Sequence, residues 1–366
     1  MENGGLFVSL FDKETLQLYL DRGVYGQHMT PERGSPTSQS RHYNTLADYA
    51  SCREGRHVFF FLEREIYYGG QLIGEGDGPA FYLNGQYSPL GREADAPVVW
   101  DESERYDPLD GPGLFETDRG EKCQPFLIRF EDNLGLAGRY ITSDQYYIDL
   151  SEYPYPVASN SMEGMGFCTL AERETEMLLD LFRDEDEIAG TMEPKSNDPV
   201  QLDGEPVPFD TDYGSDSVTE VQDESHLEAS VLANPSLLPE SLQPADKALL
   251  CRQVPVCPYK PPQHMDKADV CCFTDDRIND GTFPNTIIEL KYKSGGDTPA
   301  GMQAALQMKR YAEWLDNRLD ERAGQVDLYI YSPPGFTSTF DGYIPEKYLN
   351  WIHKVEATPD PDQTTL

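Results

Sequence analysis

The chain contains 366 residues, which is enough for two domains at roughly 150 residues per domain. Apolar residues make up 38% and charged residues 26%, so hydrophobic cores can form and a wholly disordered chain is excluded. The 65 acidic residues exceed the 29 basic ones and give a net charge of -36, so the protein as a whole repels nucleic acid at long range.

Residues 1–183 are predicted to form an α+β domain, because helical and strand patterns both occur in them. The Leu16, Tyr19 and Leu20 side chains lie on one face of a predicted helix. Thr169 and Glu172 have the spacing of a capping box at the start of an amphipathic helix. The predicted elements are, in chain order, a helix over 12–21, a β-hairpin over 55–75 with its turn at 62–65, a strand over 125–131 and a helix after Thr169.

Segment 184–221 is acidic, rich in proline and glycine, and lacks apolar periodicity, which predicts a linker. It contains about a dozen acidic residues and a single basic one, Lys195. Three explanations of the negative charge compete: concentration in this linker, solubility at high salt, or imitation of DNA. Because the remaining acidic residues are distributed over both flanking blocks, general surface acidity and salt-tolerant behaviour are favoured over a DNA mimic.

Residues 222–360 form a second block, followed by a tail over 361–366. The predicted elements are a helix over 224–234 that ends before Pro235, strands over 268–274 and 285–293, a helix over 299–319, a strand over 325–332 and a short helix over 346–355. This order predicts a mixed sheet flanked by helices.

The second block contains an ExK motif, Glu289-Leu290-Lys291, in an otherwise apolar strand. Residues i and i+2 of a strand share a face, so the carboxylate and the ammonium group project together. Burying that pair costs several kcal/mol unless partners or a metal compensate. A single ExK is weak information, because an edge-strand ion pair is the favoured explanation of one such motif and the linker contains another at residues 193–195.

Three further motifs surround this one. Asp269 begins the preceding apolar strand, and Glu224 opens the helix before it. Gln307 and Tyr311 are four residues apart on the following helix and share a face. Glu228 lies one turn after Glu224 on the same helix face and is the alternative helix acid.

In the order helix Glu, strand Asp, strand ExK and helix QxxxY, the block resembles the PD-(D/E)XK nuclease superfamily. It is similar to the RecB-like branch marked by QxxxY, and within it to the C-terminal domain of NucS-type endonucleases, whose helix is followed by an Asn-Pro stop like Asn234-Pro235. The resemblance covers about 222–335 and implies a restriction-endonuclease-like mixed sheet flanked by helices. Lys267-Ala268 replaces the usual Pro or Gly before Asp269, and the loop over 275–285 is longer than expected.

The resemblance implies a site for Mg2+ or Mn2+. Asp269, Glu289 and the Leu290 carbonyl would be hard oxygen ligands, and Glu224 would hold a second ion or its water. Lys291 would orient the nucleophile or stabilise the phosphorane, while Gln307 and Tyr311 would brace the site or touch the DNA backbone. The bases expected to make the cleft attractive to DNA are Lys291, Lys293, Lys309 and Arg310.

The first block resembles PUA/EVE-like barrels in two segments, GRHVFFF at 55–61 and YYGG at 67–70. This resemblance implies an aromatic pocket for a modified or flipped base, with Tyr68, Trp100 and Tyr106 as candidates. The alternative is that these aromatic side chains belong to the core.

The sequence lacks the ~18 consecutive apolar residues of a membrane span, and its N-terminus does not look like a secretory signal. Its seven cysteines include no CxxC pair, which argues against a disulfide scaffold or a zinc ribbon. We therefore expect a cytoplasmic protein with no membrane partner.

The expected function is that of a divalent-metal-dependent DNA endonuclease with an N-terminal recognition domain, in restriction or phage defence. Its expected partners are modified or foreign DNA, a second copy of the chain in a homodimer, and an ATPase or other defence-system subunit. Two alternatives stay open: a catalytically inactive nucleic-acid-binding or scaffold subunit with a nuclease-like fold, and an acidic DNA mimic that inhibits another enzyme.

Overall fold

The computed structural model describes residues 4–30, 36–74, 78–83, 114–117, 120–144, 146, 167–194, 223–244, 249–255, 266–273, 284–292 and 298–357. Over these residues the protein is α+β, with one curled mixed sheet, a second mixed sheet and flanking helices. None of the helices in these ranges is both long and apolar enough to cross a membrane.

Within the described residues, the first block contains a curled sheet and several helices. Its elements are β1 (Gly5–Ser9), α1 (Lys13–Arg22), β2 (Val24–Gly26), α2 (Pro36–Ala50), β3 (His57–Leu62), β4 (Glu65–Ile73), β5 (Tyr82–Leu83), β6 (Leu114–Thr117), β7 (Gly120–Cys123), β8 (Phe126–Glu131), β9 (Arg139–Thr142), β10 (Phe167–Leu170), α3 (Glu172–Arg183) and β11 (Gly190–Thr191). The strands are ordered β10-β1-β3-β4-β8-β2, with β9 on β4, β11 on β9 and β5 on β8, while β6 and β7 form a separate pair.

Strand β4 bends because two glycines interrupt it. Residues 65–67 pair with β9, whereas residues 71–73 pair with β8. Gly70, between these two stretches, has a φ of 153°, and a Cβ atom there would lie 2.5 Å from the Glu131 carbonyl oxygen. Only glycine fits this close approach without a shift. Gly70 therefore allows β4 to pair with β9 in its first part and with β8 in its last part, and the sheet curls between them.

Most predicted elements of the first block are confirmed. Helix α1 buries Leu16, Tyr19 and Leu20 on one face. The hairpin turns at Glu63 and Arg64, whose φ values of 52° and 67° match the two-residue turns that suit the strand twist. The predicted strand is β8.

The capping box at Thr169 is wrong. Thr169 is the third residue of β10, and α3 starts at Glu172 after Ala171. The returning half of a box is made instead by Glu174, whose Oε2 accepts from the Ala171 N–H at 3.3 Å. Thr169 Oγ1 accepts from the backbone N–H of Arg252 at 3.1 Å. The hydroxyl that the sequence pattern assigned to the helix cap therefore binds a distant strand instead.

Residues 184–194, which the sequence places in the linker, lie against the first sheet. Gly190 and Thr191 pair with β9, and the Met192 N–H donates to the Gly138 carbonyl at 2.7 Å. Residues 195–222 lie outside the described residues. The ordered first block therefore extends past the predicted boundary.

The first-block candidate for base recognition, Tyr68, is a core residue. It is fully buried, its ring packs edge-on against Phe59, and its OH lies 2.9 Å from His57 Nδ1. The prediction that Tyr68 lines an open aromatic pocket is therefore wrong, while Trp100 and Tyr106 lie outside the described residues.

His57 gives a pH-dependent prediction for stability. Burial lowers the pKa of His57 from 6.5 to about 4, so between these values the unfolded chain binds more protons and stability falls as the pH falls. We expect acidification from about pH 7 to about pH 5 to cost the parent about 1 to 2 kcal/mol more than the His57→Asn variant, whose side chain does not titrate but can still accept from Tyr68. Chemical denaturation at both pH values measures this.

The exposed His353 supplies the control for that comparison. The His353→Asn variant removes one imidazole at an exposed position and is the matched substitution for His57→Asn. An identical pH dependence in the parent and the His57→Asn variant would contradict the prediction.

The second block contains a five-stranded mixed sheet with helices. Its elements are α4 (Glu224–Ala233), β12 (Leu249–Pro255), β13 (Lys267–Phe273), β14 (Thr286–Leu290), α5 (Thr298–Leu319), β15 (Asp327–Ser332), α6 (Glu346–Leu349) and β16 (Ile352–Glu356). The strand order is β12-β13-β14-β15-β16. The first three strands are antiparallel and the last three are parallel, with α5 connecting the parallel neighbours β14 and β15.

The predicted mixed sheet is confirmed, with two corrections. Strand β12 was not predicted at all. The predicted helix over 346–355 is wrong, since α6 ends at Leu349 and residues 352–356 form the edge strand β16. Residues 352–356 form a strand because they pair with β15. The sequence of this short amphipathic segment does not indicate that pairing.

The two blocks share one hydrophobic cluster, which includes Leu46 and Val58 from the first block and Leu227 and Val270 from the second. Helices α2 and α4 pack together, and the Tyr43 and His226 rings stack with their centroids 4.3 Å apart. The blocks therefore form a common core.

Candidate active site

The six predicted site side chains come together from α4, β13, the end of β14 and α5. Asp269 on β13 and Glu289 on β14 lie on adjacent antiparallel strands, one position beyond the Val270–Ile288 pair. Their residues are only 7% and 1% exposed, respectively. The two carboxyl groups therefore lie side by side and almost completely shielded from solvent.

Glu289 is the centre of the cluster. Its Oε1 lies 2.7 Å from Lys291 Nζ, which confirms that the ExK pair shares a face. Its Oε2 accepts from the Tyr311 OH at 2.9 Å. Lys291 Nζ also lies 3.1 Å from Oε1 of Glu224, so this ammonium group connects the α4 carboxylate with the strand carboxylate.

The QxxxY pair braces the site from α5. Gln307 Nε2 donates to the Tyr311 oxygen at 2.6 Å, and the Tyr311 OH is also within 2.7 Å of the Lys267 carbonyl. Tyr311 is fully buried, so its hydroxyl contacts Glu289 and the Lys267 carbonyl inside the protein.

Asp269 is held by one backbone and one side-chain donor. The Leu290 N–H donates to its Oδ2 at 2.7 Å, and Gln253 Nε2 lies 3.2 Å from its Oδ1. The backbone contact connects Asp269 to the same strand end that carries the ExK motif.

The cluster contains more carboxyl groups than cations, and their burial makes ionisation unfavourable. Burial raises the pKa of Asp269 well above its usual value, and the neighbouring Glu289 raises it further. Burial also raises the pKa of Glu289, although Lys291 opposes this. Burial disfavours the charge on Lys291, but Glu289, Asp269 and Glu224 more than offset it and the net shift of the Lys291 pKa is upward. Two buried carboxylates therefore compete for one ammonium group.

The two helix acids differ in their partners. Glu228 is buried and accepts from Arg252 Nε and Nη2, both at 2.9 Å. Arg252 also contacts Asp48 and, at 2.8 Å, Asn44 of α2. Glu224, whose side chain is 48% exposed, reaches Lys291 instead.

Sequence reasoning missed Arg252, Gln253 and Asp48. The signal for Arg252 was present, because it is the one charged residue in the apolar run LLCRQVPV at 249–256. A lone charge in such a run indicates a buried ion pair, by the same logic that singled out Glu289. Its partners on α2 and α4 are more than twenty residues away and have no local signature.

Those of the expected basic residues that the structure describes are paired with acidic side chains. Lys309 Nζ lies 3.4 Å from Glu313, and Arg310 Nη2 lies 3.0 Å from Asp266. Lys293 lies outside the described residues. The described bases therefore contribute less attraction for DNA than their number suggests.

The donor chemistry fits a divalent cation. Carboxylates and a backbone carbonyl are the ligands that Mg2+ and Mn2+ prefer, and a cation would favour the ionised forms of Asp269 and Glu289, which burial disfavours. Among the described residues, however, no three His, Cys, Asp or Glu side chains are grouped closely enough to form a preassembled metal site. Lys291 supplies the positive charge between the carboxylates of Glu289 and Glu224.

A separate cavity of about 590 Å3 opens in the first block beside β8. Its charged lining includes Asp21, Glu131, Asp132, Glu185 and Arg139. Such an acidic lining does not suit a phosphate backbone, and the predicted base-binding candidate Tyr68 is not part of it.

Comparisons of the chain with protein-family models, with curated proteins and with solved structures give no match. The α+β architecture is visible in the structure itself, whereas the nuclease resemblance remains a prediction from the motifs. The functional interpretation therefore depends on the residues of the site.

Proposed function

We propose that the protein is a divalent-metal-dependent DNA endonuclease of the PD-(D/E)XK type. The supporting observation is a set of contacts: Glu289 contacts Lys291 and Tyr311, Lys291 also contacts Glu224, and Asp269 accepts from the N–H of Leu290, the residue between Glu289 and Lys291. Each motif is common alone, but four separate elements of the chain bring them to one buried ionic cluster in the order the superfamily implies.

In this proposal, Asp269, Glu289 and the Leu290 carbonyl would hold Mg2+ or Mn2+, and Glu224 would hold a second ion or its water. A bound divalent cation lowers the pKa of a coordinated water and offsets the charge that develops on the phosphate. Since Glu224 is partly exposed at the start of α4, it is the carboxylate with most freedom to approach a substrate or a water.

Lys291 acts as a cation in this scheme. Because the surrounding carboxylates raise its pKa, its amine stays protonated at neutral pH and does not serve as a general base. The ammonium group orients the attacking water and stabilises the negative charge of the phosphorane. Tyr311, held by Gln307, keeps the Glu289 carboxylate in place.

The recognition role of the first block, a homodimer, and an ATPase or other defence-system partner are part of the same proposal. A double-strand cut needs two sites, which a symmetric dimer provides. The first block shares its core with the site-bearing block, so DNA bound to one surface would be held in a fixed orientation toward the other.

The alternative function is an inactive nucleic-acid-binding or scaffold subunit. The observation that favours it is that Glu289 already has a partner for each oxygen, Lys291 and Tyr311. A cluster satisfied in this way could serve stability alone.

Plasmid cleavage tests the proposal. We expect the parent to nick or linearise supercoiled plasmid with Mn2+, and the Lys291→Ala variant to be slower by about 100-fold or more, since a stabilising donor is lost. Lys347→Ala is the matched control, because Lys347 pairs with Asp316 on the surface. If the parent cuts neither plain DNA, modified DNA nor RNA and binds no Mn2+, the protein is an inactive scaffold subunit and the proposal is wrong. Tight binding to a DNA-processing enzyme would instead indicate a DNA mimic.

A further inference from the structure

We infer that Gln253 is a positioning residue for Asp269 and that it connects the site to the first block. The inference rests on the proposed function. Gln253 Nε2 lies 3.2 Å from Asp269 Oδ1 and 3.2 Å from Glu228 Oε1, so one amide group bridges two buried carboxylates. An amide with two N–H donors can satisfy both without adding charge.

The backbone at Gln253 is unusual for a strand. It has a φ of 51°, in the left-handed region, although its neighbours Arg252 and Val254 keep regular partners across the ladder on β13. A residue other than glycine adopts this conformation at a cost of about 1 kcal/mol. The strand pairing on either side and the side-chain contacts of Gln253 therefore stabilise this strained backbone conformation.

The left-handed backbone has a geometric consequence. In a regular strand, successive side chains point to opposite faces. Here Arg252 and Gln253 both reach the same oxygen, Oε1 of Glu228, at 2.9 and 3.2 Å. The strained residue thus directs two adjacent side chains to one carboxylate, and Gln253 can then reach Asp269 as well.

The contacts continue into the first block. Arg252, which holds Glu228, also contacts Asp48 of α2. A continuous series of hydrogen bonds therefore runs from Asp48 through Arg252, Glu228 and Gln253 to Asp269. The first block holds the orientation of the candidate catalytic carboxylate through this series.

The test compares Gln253→Gly with Gln253→Ala in the full-length protein. Both variants remove the amide, but glycine also relieves the strained backbone. We expect both to bind Mn2+ about 10- to 100-fold more weakly by calorimetry, the usual cost of losing an outer hydrogen-bond partner of a ligand. We expect the glycine variant to unfold at a higher temperature than the alanine variant.

The two measurements separate positioning from stability. Mn2+ affinity that falls equally in both variants while their unfolding temperatures differ supports the inference. Parent-like Mn2+ affinity in the Gln253→Gly variant would overturn the inference alone. Absence of Mn2+ binding by the parent would overturn both the proposed function and this inference.

Discussion

Replacing Glu289 with glutamine is expected to slow DNA cleavage strongly and at the same time to stabilise the metal-free protein. The side chain keeps its shape, but the proposed metal loses a charged ligand worth several kcal/mol, or roughly a thousand-fold in rate. Stability rises because burial raises the pKa of Glu289, and ionising it in the folded state is therefore unfavourable. Plasmid cleavage and thermal unfolding measure the two effects.

The sign of the stability change depends on pH. A carboxyl whose pKa is raised on folding costs stability as the pH rises from its unfolded value through its folded value, so the advantage of Glu289→Gln should grow in that direction. Glu313→Gln on the exposed face of α5 is the control and should change neither property. Full cleavage by the Glu289→Gln variant would remove this residue from the proposed mechanism.

Replacing Arg252 with alanine is expected to cause the largest loss of stability. Arg252 is 4% exposed and joins Glu228 of the second block to Asp48 of the first. Its removal leaves two buried carboxylates without a cation, which costs about 3–5 kcal/mol for a broken buried pair. Denaturant unfolding should show a single transition for the parent, since the two blocks share one core, and a much lower midpoint for the variant.

Arg183→Ala provides the comparison for this experiment. Arg183 pairs with Asp180 on the surface of α3, with a side chain that is 57% exposed. Surface pairs contribute about 1 kcal/mol or less, so this variant should stay close to the parent. Equal midpoints for Arg252→Ala and Arg183→Ala would show that the buried network does not hold the blocks together.

Local pattern was sufficient for elements whose own residues carry the signal. Helix α1 repeats its apolar residues at helical spacing, and the β3–β4 hairpin consists of two aromatic-rich runs around a polar pair. Helix α2 was missed because its segment, PTSQSRHYNTLADYA, is polar and poor in helix-forming residues, and contact with α4 stabilises it. Strand β16 was mistaken for helix because its pairing with β15 is a tertiary feature.

The residues of the candidate site could be predicted from the sequence, but the residues that hold them in position could not. The combined order of helix Glu, strand Asp, strand ExK and helix QxxxY identified Asp269, Glu289 and Lys291, and the structure places them near Gln307 and Tyr311. The sequence left Glu224 and Glu228 as alternatives, and only the position of Arg252 distinguishes their partners. The role of Gln253 depends on one left-handed residue, which spacing alone does not reveal.

Soaking crystals of the protein with Mn2+ and recording anomalous diffraction tests the metal-dependent mechanism most directly. If the chain is a nuclease of the proposed kind, an anomalous peak will lie between Asp269 and Glu289, about 2.0 to 2.3 Å from their nearest carboxylate oxygens, with Lys291 displaced from Glu289. An ordered cluster with no manganese, in which Lys291 still bridges Glu224 and Glu289, would contradict the proposed chemistry.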